Sequence, residues 1–334
     1  MGATLLGSIR KRITAPPTSS IRYPVRGFDT TDAPARDELE FSAFQLLFGF
    51  ELGIEQSGLD HGDLVIRLES VRREYQGFAY EGAVMGLAMR DAMSPMPGHR
   101  ITETFMAGPD FHSAPGSKHL FMGYMGIGFT LAHLPKFMWK RALPDYRKLA
   151  DYPAMRWMIM DGYGFHQAYF HTRKWVDEQY VGSNYPGFAP DPYVNRAIDQ
   201  GIARALWFVH GGNMKRYVDA LNAFPESRRA DLWGGAGVAA GYAGGVTADE
   251  LEVLLKASGQ YRADVALGAA FAMRARVVSD TLADHNEMAA QVLCGCTAQE
   301  ADEIAGRENT VLHGGDDSGA TYELYRQRIM RHFR

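Results

Sequence analysis

Cysteine is nearly absent from this chain. Of 334 residues only Cys294 and Cys296 carry thiols, and a single glycine separates them. That spacing is tighter than zinc-binding pairs use and awkward for an intramolecular bridge, so both read as reduced thiols of a cytosolic protein. Long apolar runs are missing too. A membrane span needs about 18 apolar residues without interruption. The nearest candidate, Leu120 to Leu134, is short and contains Thr130 and His133. At the N-terminus a short apolar run, Ala3 to Leu6, precedes Arg10, Lys11 and Arg12, the reverse of the order in a secretory signal. The chain is therefore expected to be cytoplasmic and not to span a membrane itself, although its glycine-rich apolar helices could dock on a membrane partner.

Neither sign of charge dominates: 35 Lys and Arg against 39 Asp and Glu leave −4. This gives no polycationic surface for nucleic acid. Catalytic signatures are lacking as well. There is no Gly-rich phosphate loop ending in Lys and Ser/Thr, no nucleophile-elbow serine and no zincin motif. No cofactor fingerprint is visible, so any redox cofactor would have to come from a partner.

What is present is helical patterning. Residues 1–36 hold Pro16, Pro17, Pro24 and Pro34 among serines and arginines, which predicts an extended arm rather than packed helices. From residue 37 a single helical body is expected, with two lobes meeting near 140–160 as the alternative. Phe41, Phe44, Leu47, Phe48 and Leu52 recur at helical spacing behind Asp37 and Glu38, charges suited to a helix start. Five segments beginning at Gly86, Gly126, Gly201, Gly237 and Gly268 set small residues where neighbouring backbones could approach closely, a degenerate helical repeat. A second echo pairs Gly77-Phe78-Ala79-Tyr80-Glu81 with Gly162-Tyr163-Gly164-Phe165-His166. Capping boxes at Thr247 to Glu250 and Thr297 to Glu300 predict two helix starts, and Tyr261 to Val278 reads as a helix with Arg274 and Arg276 near its end. Loops are expected at 93–117 and 182–192, with short strands in them left open. The fold class is mostly α, an α-solenoid-like stack or an αα-bundle with an extended arm.

The candidate chemistry lies in polar residues set among glycine and aromatics. If the second echo is a true repeat, Glu81 and His166 occupy equivalent points on adjacent inner helices and face one cavity. A carboxylate beside an imidazole there would raise the histidine's affinity for a proton and make an acid/base pair. The alternative is that both satisfy buried backbone groups. Tyr80, His171, Asp199 and Asp231 are expected at the rim, with Trp233 beside them. His166 and His171 lie five apart, about 140° around a helix, which is poor spacing for metal ligation, and no metal is expected. Asp199 reads more simply as an ion pair with Arg196 or another partner, and Asp231 as a helix cap. Sixteen methionines, among them Met85, Met89, Met93, Met96, Met122 and Met125, suit irregular core packing or a groove for a long hydrocarbon.

Gly77 to Met89, Asp161 to His171, Asn195 to Val209 and Arg228 to Gly245, in that order, resemble the domain-of-unknown-function family that includes the enediyne biosynthesis protein UnbL. The resemblance covers almost the whole chain. It implies an accessory protein encoded with iterative polyketide synthases, alongside companions called UnbV, similar to a repeat-rich β protein, and UnbU, similar to an integral membrane protein. Two functions follow as expectations. The chain binds, or helps to mature oxidatively, a linear polyene on the way to an enediyne core; alternatively it is a non-catalytic helical scaffold docking those companions. The family offers no catalytic residues to carry over.

Overall fold

A computed structural model describes residues 5–29, 31–95, 100–107, 113–145, 153–312 and 316–334. Met96, with the rest of 96–99 and with 108–112, lies outside the described residues. Every regular element within them is helical, and no strand is formed. The open question of strands in the loops is thereby answered for the described residues, and a short helix, Arg100–Met106, stands within the 93–117 segment instead.

Seven inner helices follow one another in chain order: α1 (Arg36–Glu55), α2 (Gln76–Met93), α3 (Leu120–His133), α4 (Trp157–Phe170), α5 (Tyr193–His210), α6 (Glu226–Tyr242) and α7 (Arg262–Val278). Each packs chiefly on the helix before and the helix after it. Shorter helices, among them Gly62–Glu69, Met214–Asn222 and Ala248–Ser258, fill the turns outside this row. The row curls back on itself: Phe78 near the start of α2 meets Tyr242 at the end of α6 edge-on at 5.4 Å, and Arg276 of α7 donates to the carbonyls of Glu74 and Tyr242. Arg276 thus turns into the core rather than simply complementing its own helix dipole.

Glycine explains the tight stacking. A Cβ added at Gly82, Gly126, Gly162, Gly201, Gly235 or Gly268 would lie only 1.8–2.3 Å from a carbonyl oxygen of the preceding helix, those of Leu46, Glu81, Met125, Asp161, Gln200 and Gly234 in turn. Three residues beyond four of those carbonyls stand Gly49, Gly128, Gly164 and Gly237, each facing a carbonyl of the following helix, from Ala79, Ile159, Ile198 and Val265. The clasp is reciprocal. Bare backbones at this range add dispersion and Cα–H···O contacts of roughly 0.5–1 kcal/mol apiece.

These contacts fix the repeat register and correct the one expected from the sequence. Gly162 is matched by Gly82, not Gly77, so Glu81 corresponds to Asp161, whereas His166 corresponds to Gly86 and Thr130. Nor are the helices of Glu81 and His166 neighbours, because α3 stands between α2 and α4. The sequence misleads here because α2 carries glycines at 77, 82 and 86, and each offers its own alignment.

Both capping boxes form, at Thr247 with Glu250 and at Thr297 with Glu300, and begin the helices Ala248–Ser258 and Ala298–Glu308. The N-terminal arm differs from the extended run expected of it. It winds into a helix at Leu5–Thr14, a 3-10 turn at Thr18–Ile21 and a single turn at Tyr23–Arg26, where proline at the second position is tolerated because that amide has no helical acceptor. Arginines strap this arm to the body. Arg10 donates to the carbonyls of Ile54 and Gln56 at the end of α1, at 3.1 and 2.9 Å. Arg26 donates to those of Tyr169 and Phe170 at the end of α4, at 3.0 and 2.8 Å. Two tyrosines complete the strap: Tyr23 donates to the carbonyl of Phe208 and Tyr169 to that of Ile21. Across the 140–160 segment, α3 packs on α4.

Candidate functional site

The arm crosses one side of the row and closes over a cavity of about 440 Å³. Helices α1 to α5 supply its walls, and Pro16, Ser20, Ile21 and Arg26 of the arm its cover. Buried rings of Phe50, Phe78, Phe129, Phe165 and Phe208 surround the interior with Met85. Exposed His133 and His171, with the partly covered Arg26 and Phe170, mark the mouth. Such a volume falls within the range of roughly 300–1,000 Å³ usual for small-molecule sites.

Polar groups in this apolar chamber are few. Glu81 is 2% exposed, and its Oε1 has no hydrogen-bond partner among the described residues. Burial raises its pKa to about 8, with the Arg204 guanidinium opposing and Asp161 adding to the rise. At neutral pH the carboxyl is therefore a protonated acid. His166 is 5% exposed, and neither ring nitrogen has a hydrogen-bond partner among the described residues. Burial pushes its pKa well down, and the neighbouring His133, His171 and Arg26 push the same way, so it is a neutral imidazole. His133 stacks edge-on against it with ring centres 4.4 Å apart and ties its own Nδ1 to the Phe129 carbonyl at 2.9 Å.

Arg204, three residues beyond Gly201 on α5, lines the same cavity and is paired with Asp161 on α4. Burial opposes its charge, but Asp161 and Glu81 beside it hold the proton on. The repeat builds this cluster, since Glu81 and Asp161 occupy one position on two helices and face the same arginine. Thr130 of α3, at the position matching His166, donates to the carbonyls of Met85 and Gly126 and keeps α2 and α3 in step.

The expected site residues divide sharply. Glu81, Met85, His166 and His171 line the cavity. Glu81 and His166 make no hydrogen bond to each other, and the imidazole is held neutral rather than made more basic, contrary to the expected carboxylate–imidazole pair. The others face elsewhere. Tyr80 points away from the cavity, stacked on His119 at 3.9 Å with Phe105 beyond. Met89 and Trp233 are buried without lining the cavity. Asp199 pairs with Arg228 at 3.0 Å rather than with Arg196. Asp231 caps no helix: it lies inside α6, held by Arg196 at 2.8 Å and Arg326 at 2.6 Å. The sequence reading missed Arg26, His133 and Arg204. Arg204 had a signal, as the lone charge between Ala197 and Val209 other than Asp199; Arg26 had none, because it belongs to the arm.

A family model described as protein of unknown function (DUF1702) matches residues 5–333. The chain belongs to that family. Neither a curated protein nor a solved structure matches it. Among the described residues of this DUF1702 member, no helix is long and apolar enough to cross a membrane, and no group of three His, Cys, Asp or Glu side chains could hold a metal ion. The site's own side chains offer a neutral acid at Glu81 and a neutral base or donor at His166, in an apolar chamber that strengthens both.

Proposed function

We propose that this chain receives an elongated apolar molecule, a polyene or similar polyketide-derived chain, and moves a proton on it as an accessory step of enediyne-type biosynthesis. One observation carries the reading: Glu81 and His166, both buried, turn unpartnered polar atoms into an apolar chamber. Leaving such a group unpaired costs about 1–3 kcal/mol. Other buried polar atoms lack partners too, among them Trp233 Nε1 and Tyr242 Oη, but Glu81 and His166 bring theirs to the wall of one apolar cavity. Glu81 as acid and His166 as base could shift a double bond along a conjugated chain without any cofactor, while Phe78, Phe129 and Phe165 exclude bulk water. A partner would supply any oxidant. The resemblance to the UnbL-containing family supports the pathway, and the two free thiols suit a cytoplasmic setting.

The test is a titration of the purified chain with a linear conjugated polyene, followed by absorbance. A red-shifted, saturable spectrum is expected with the wild type. Glu81→Gln and His166→Asn are expected to bind it without converting it. Absence of both binding and spectral change, alone and with companion proteins, defeats the proposal.

A second reading, docking of companion proteins, has an observation of its own. The helix Leu5–Thr14 presents Leu5, Leu6, Ile9 and Ile13 on one face at 81, 63, 46 and 78% exposure. Co-purification with a soluble or membrane companion, lost on Leu6→Asp and Ile13→Asp, supports this role. A chain that stays alone with each companion yet turns over substrate excludes it.

A further inference from the structure

The cavity mouth carries positive charge that no carboxylate among the described residues balances. Arg26 stands there among the rings of Phe28, Tyr169 and Phe170, its guanidinium 4.9 Å from the centre of Phe170. One of its nitrogens, Nη2, is spent on the two carbonyls that end α4, but Nε is buried without a partner, and no carboxylate pairs with this arginine among the described residues. Just outside, across Arg26, Phe170 and His171, lies a shallow hollow that adds Lys174 and Arg173. Lys174 projects from a π-helical turn, Arg173–Asp177, and its ammonium lies 4.1 Å from the ring of Tyr180, with no carboxylate paired to it among the described residues. The single acid in the hollow, Glu178, is taken by Arg173 at 3.1 Å. The chamber is thus apolar and nearly neutral inside, where Arg204 is cancelled by Asp161, and cationic at the entrance.

From this arrangement we infer that the ligand is an anionic amphiphile, a long unsaturated carboxylic acid whose tail fills the phenylalanine-lined chamber and whose carboxylate rests between Arg26 and Lys174. The inference rests on the cavity reading above and adds the head group and its direction. A carboxylate at the mouth keeps part of its hydration and gains charge-assisted hydrogen bonds from Arg26, whereas inside it would lose water entirely beside Arg204, whose charge Asp161 already balances. The mouth is therefore the favoured seat of the head group. With the head at the mouth, the far end of the tail lies against Glu81 and the stretch nearer the head passes His166. The proton exchange proposed above would then act on the hydrocarbon and leave the carboxylate untouched.

The experiment compares a conjugated tetraenoic acid with its methyl ester, titrated into the full-length chain and followed by polyene fluorescence. The acid is expected to bind about tenfold tighter or more, with a preference that shrinks as salt rises because the mouth is open to solvent. Arg26→Gln is expected to bring the acid down to the affinity of the ester. Arg26 also holds the arm, so Lys174→Gln serves as a second variant that leaves the strap intact. It should narrow the preference severalfold while ester affinity stays unchanged. Equal binding of acid and ester by the wild type overturns the head-group inference and leaves the cavity reading standing. Retention of the full preference in both variants overturns it as well. If neither compound binds, the cavity reading itself fails and takes this inference with it.

Discussion

Around α6 and α7 three buried carboxylates meet opposite partners: Asp231 lies between Arg196 and Arg326, Asp199 is gripped by Arg228, and Asp302 receives Arg274 at 2.8 Å. Around α2 and α4 the helices clasp in the same way, yet Glu81 and His166 stay unpaired beside the satisfied couple of Asp161 and Arg204. One architecture therefore serves two purposes. Where ion pairs are complete, buried polarity fixes which helices meet. Where it is left incomplete and opens on a cavity, the stability forgone is available to a ligand. The repeat makes this possible because the glycine clasp uses only backbone, so the side chain beside each glycine is free to vary from Leu46 to Glu81, Asp161 or Gln200.

The comparison breaks most visibly if the paired region is struck. Asp231→Ala leaves the guanidinium of Arg326, itself 2% exposed, with Glu323 at 3.1 Å as its remaining opposite charge, and should cost about 3 kcal/mol in urea unfolding. A loss below about 1 kcal/mol would mean that these pairs do not organise the region.

Next in size is a pH effect specific to the cavity. The Glu81 carboxyl holds its proton to about pH 8 in the folded chain, against an ordinary value of 4.5. Between those limits the folded state carries one more proton than the unfolded chain, so this group's contribution falls by roughly 1.4 kcal/mol for each pH unit gained. Glu81→Gln removes the dependence. Its stability should match the wild type near pH 4.5 and exceed it by on the order of 3 kcal/mol near pH 8, water reaching the cavity trimming the full linkage value. Parallel pH profiles for the two proteins would show that Glu81 is ionised and paired after all.

A smaller and deliberately equal effect is expected from the clasps. Gly162→Ala on the cavity side and Gly268→Ala beyond it each force a Cβ to within 2.3 and 2.0 Å of a backbone oxygen. Both should lose roughly 1–3 kcal/mol by thermal unfolding. Similar losses locate the difference between the regions in their charges; a much larger loss at one of them would locate it in the packing.

The smallest change should come from His166→Phe. With neither ring nitrogen bonded to the protein, an apolar ring of similar shape should shift stability by less than about 1 kcal/mol. Polyene turnover should nevertheless disappear. A strong destabilisation would make His166 a structural residue like Asp231.

Much of this architecture was legible in local signals. The helix starts at Ala248 and Ala298 follow from threonine and glutamate three residues apart, and the small-residue segments mark inner helices. The candidate site was legible only in part. Glu81, Met85, His166 and His171 do line one cavity, but the alignment that brought the first and third together was off by five residues, and Tyr80, Asp199, Asp231 and Trp233 belong to other surroundings. A glycine-rich helix fits several registers equally well on paper, and only the carbonyl of its neighbour selects one.

By itself the sequence determined the helical class, the positions where backbones can touch and the caps that start the last helices, because each of these signals is complete within one or two turns. Tertiary structure decided which glycine answers which, and which charges find partners. Arg204 reaches Asp161 across 43 residues and Arg326 reaches Asp231 across 95, so no local pattern could announce either pair. It also decided the cavity, whose walls come from five helices and whose cover comes from an arm. A carboxyl such as Glu81 becomes an acid poised near neutrality only when those separate segments together shut out water, and that is a property of their packing rather than of any one of them.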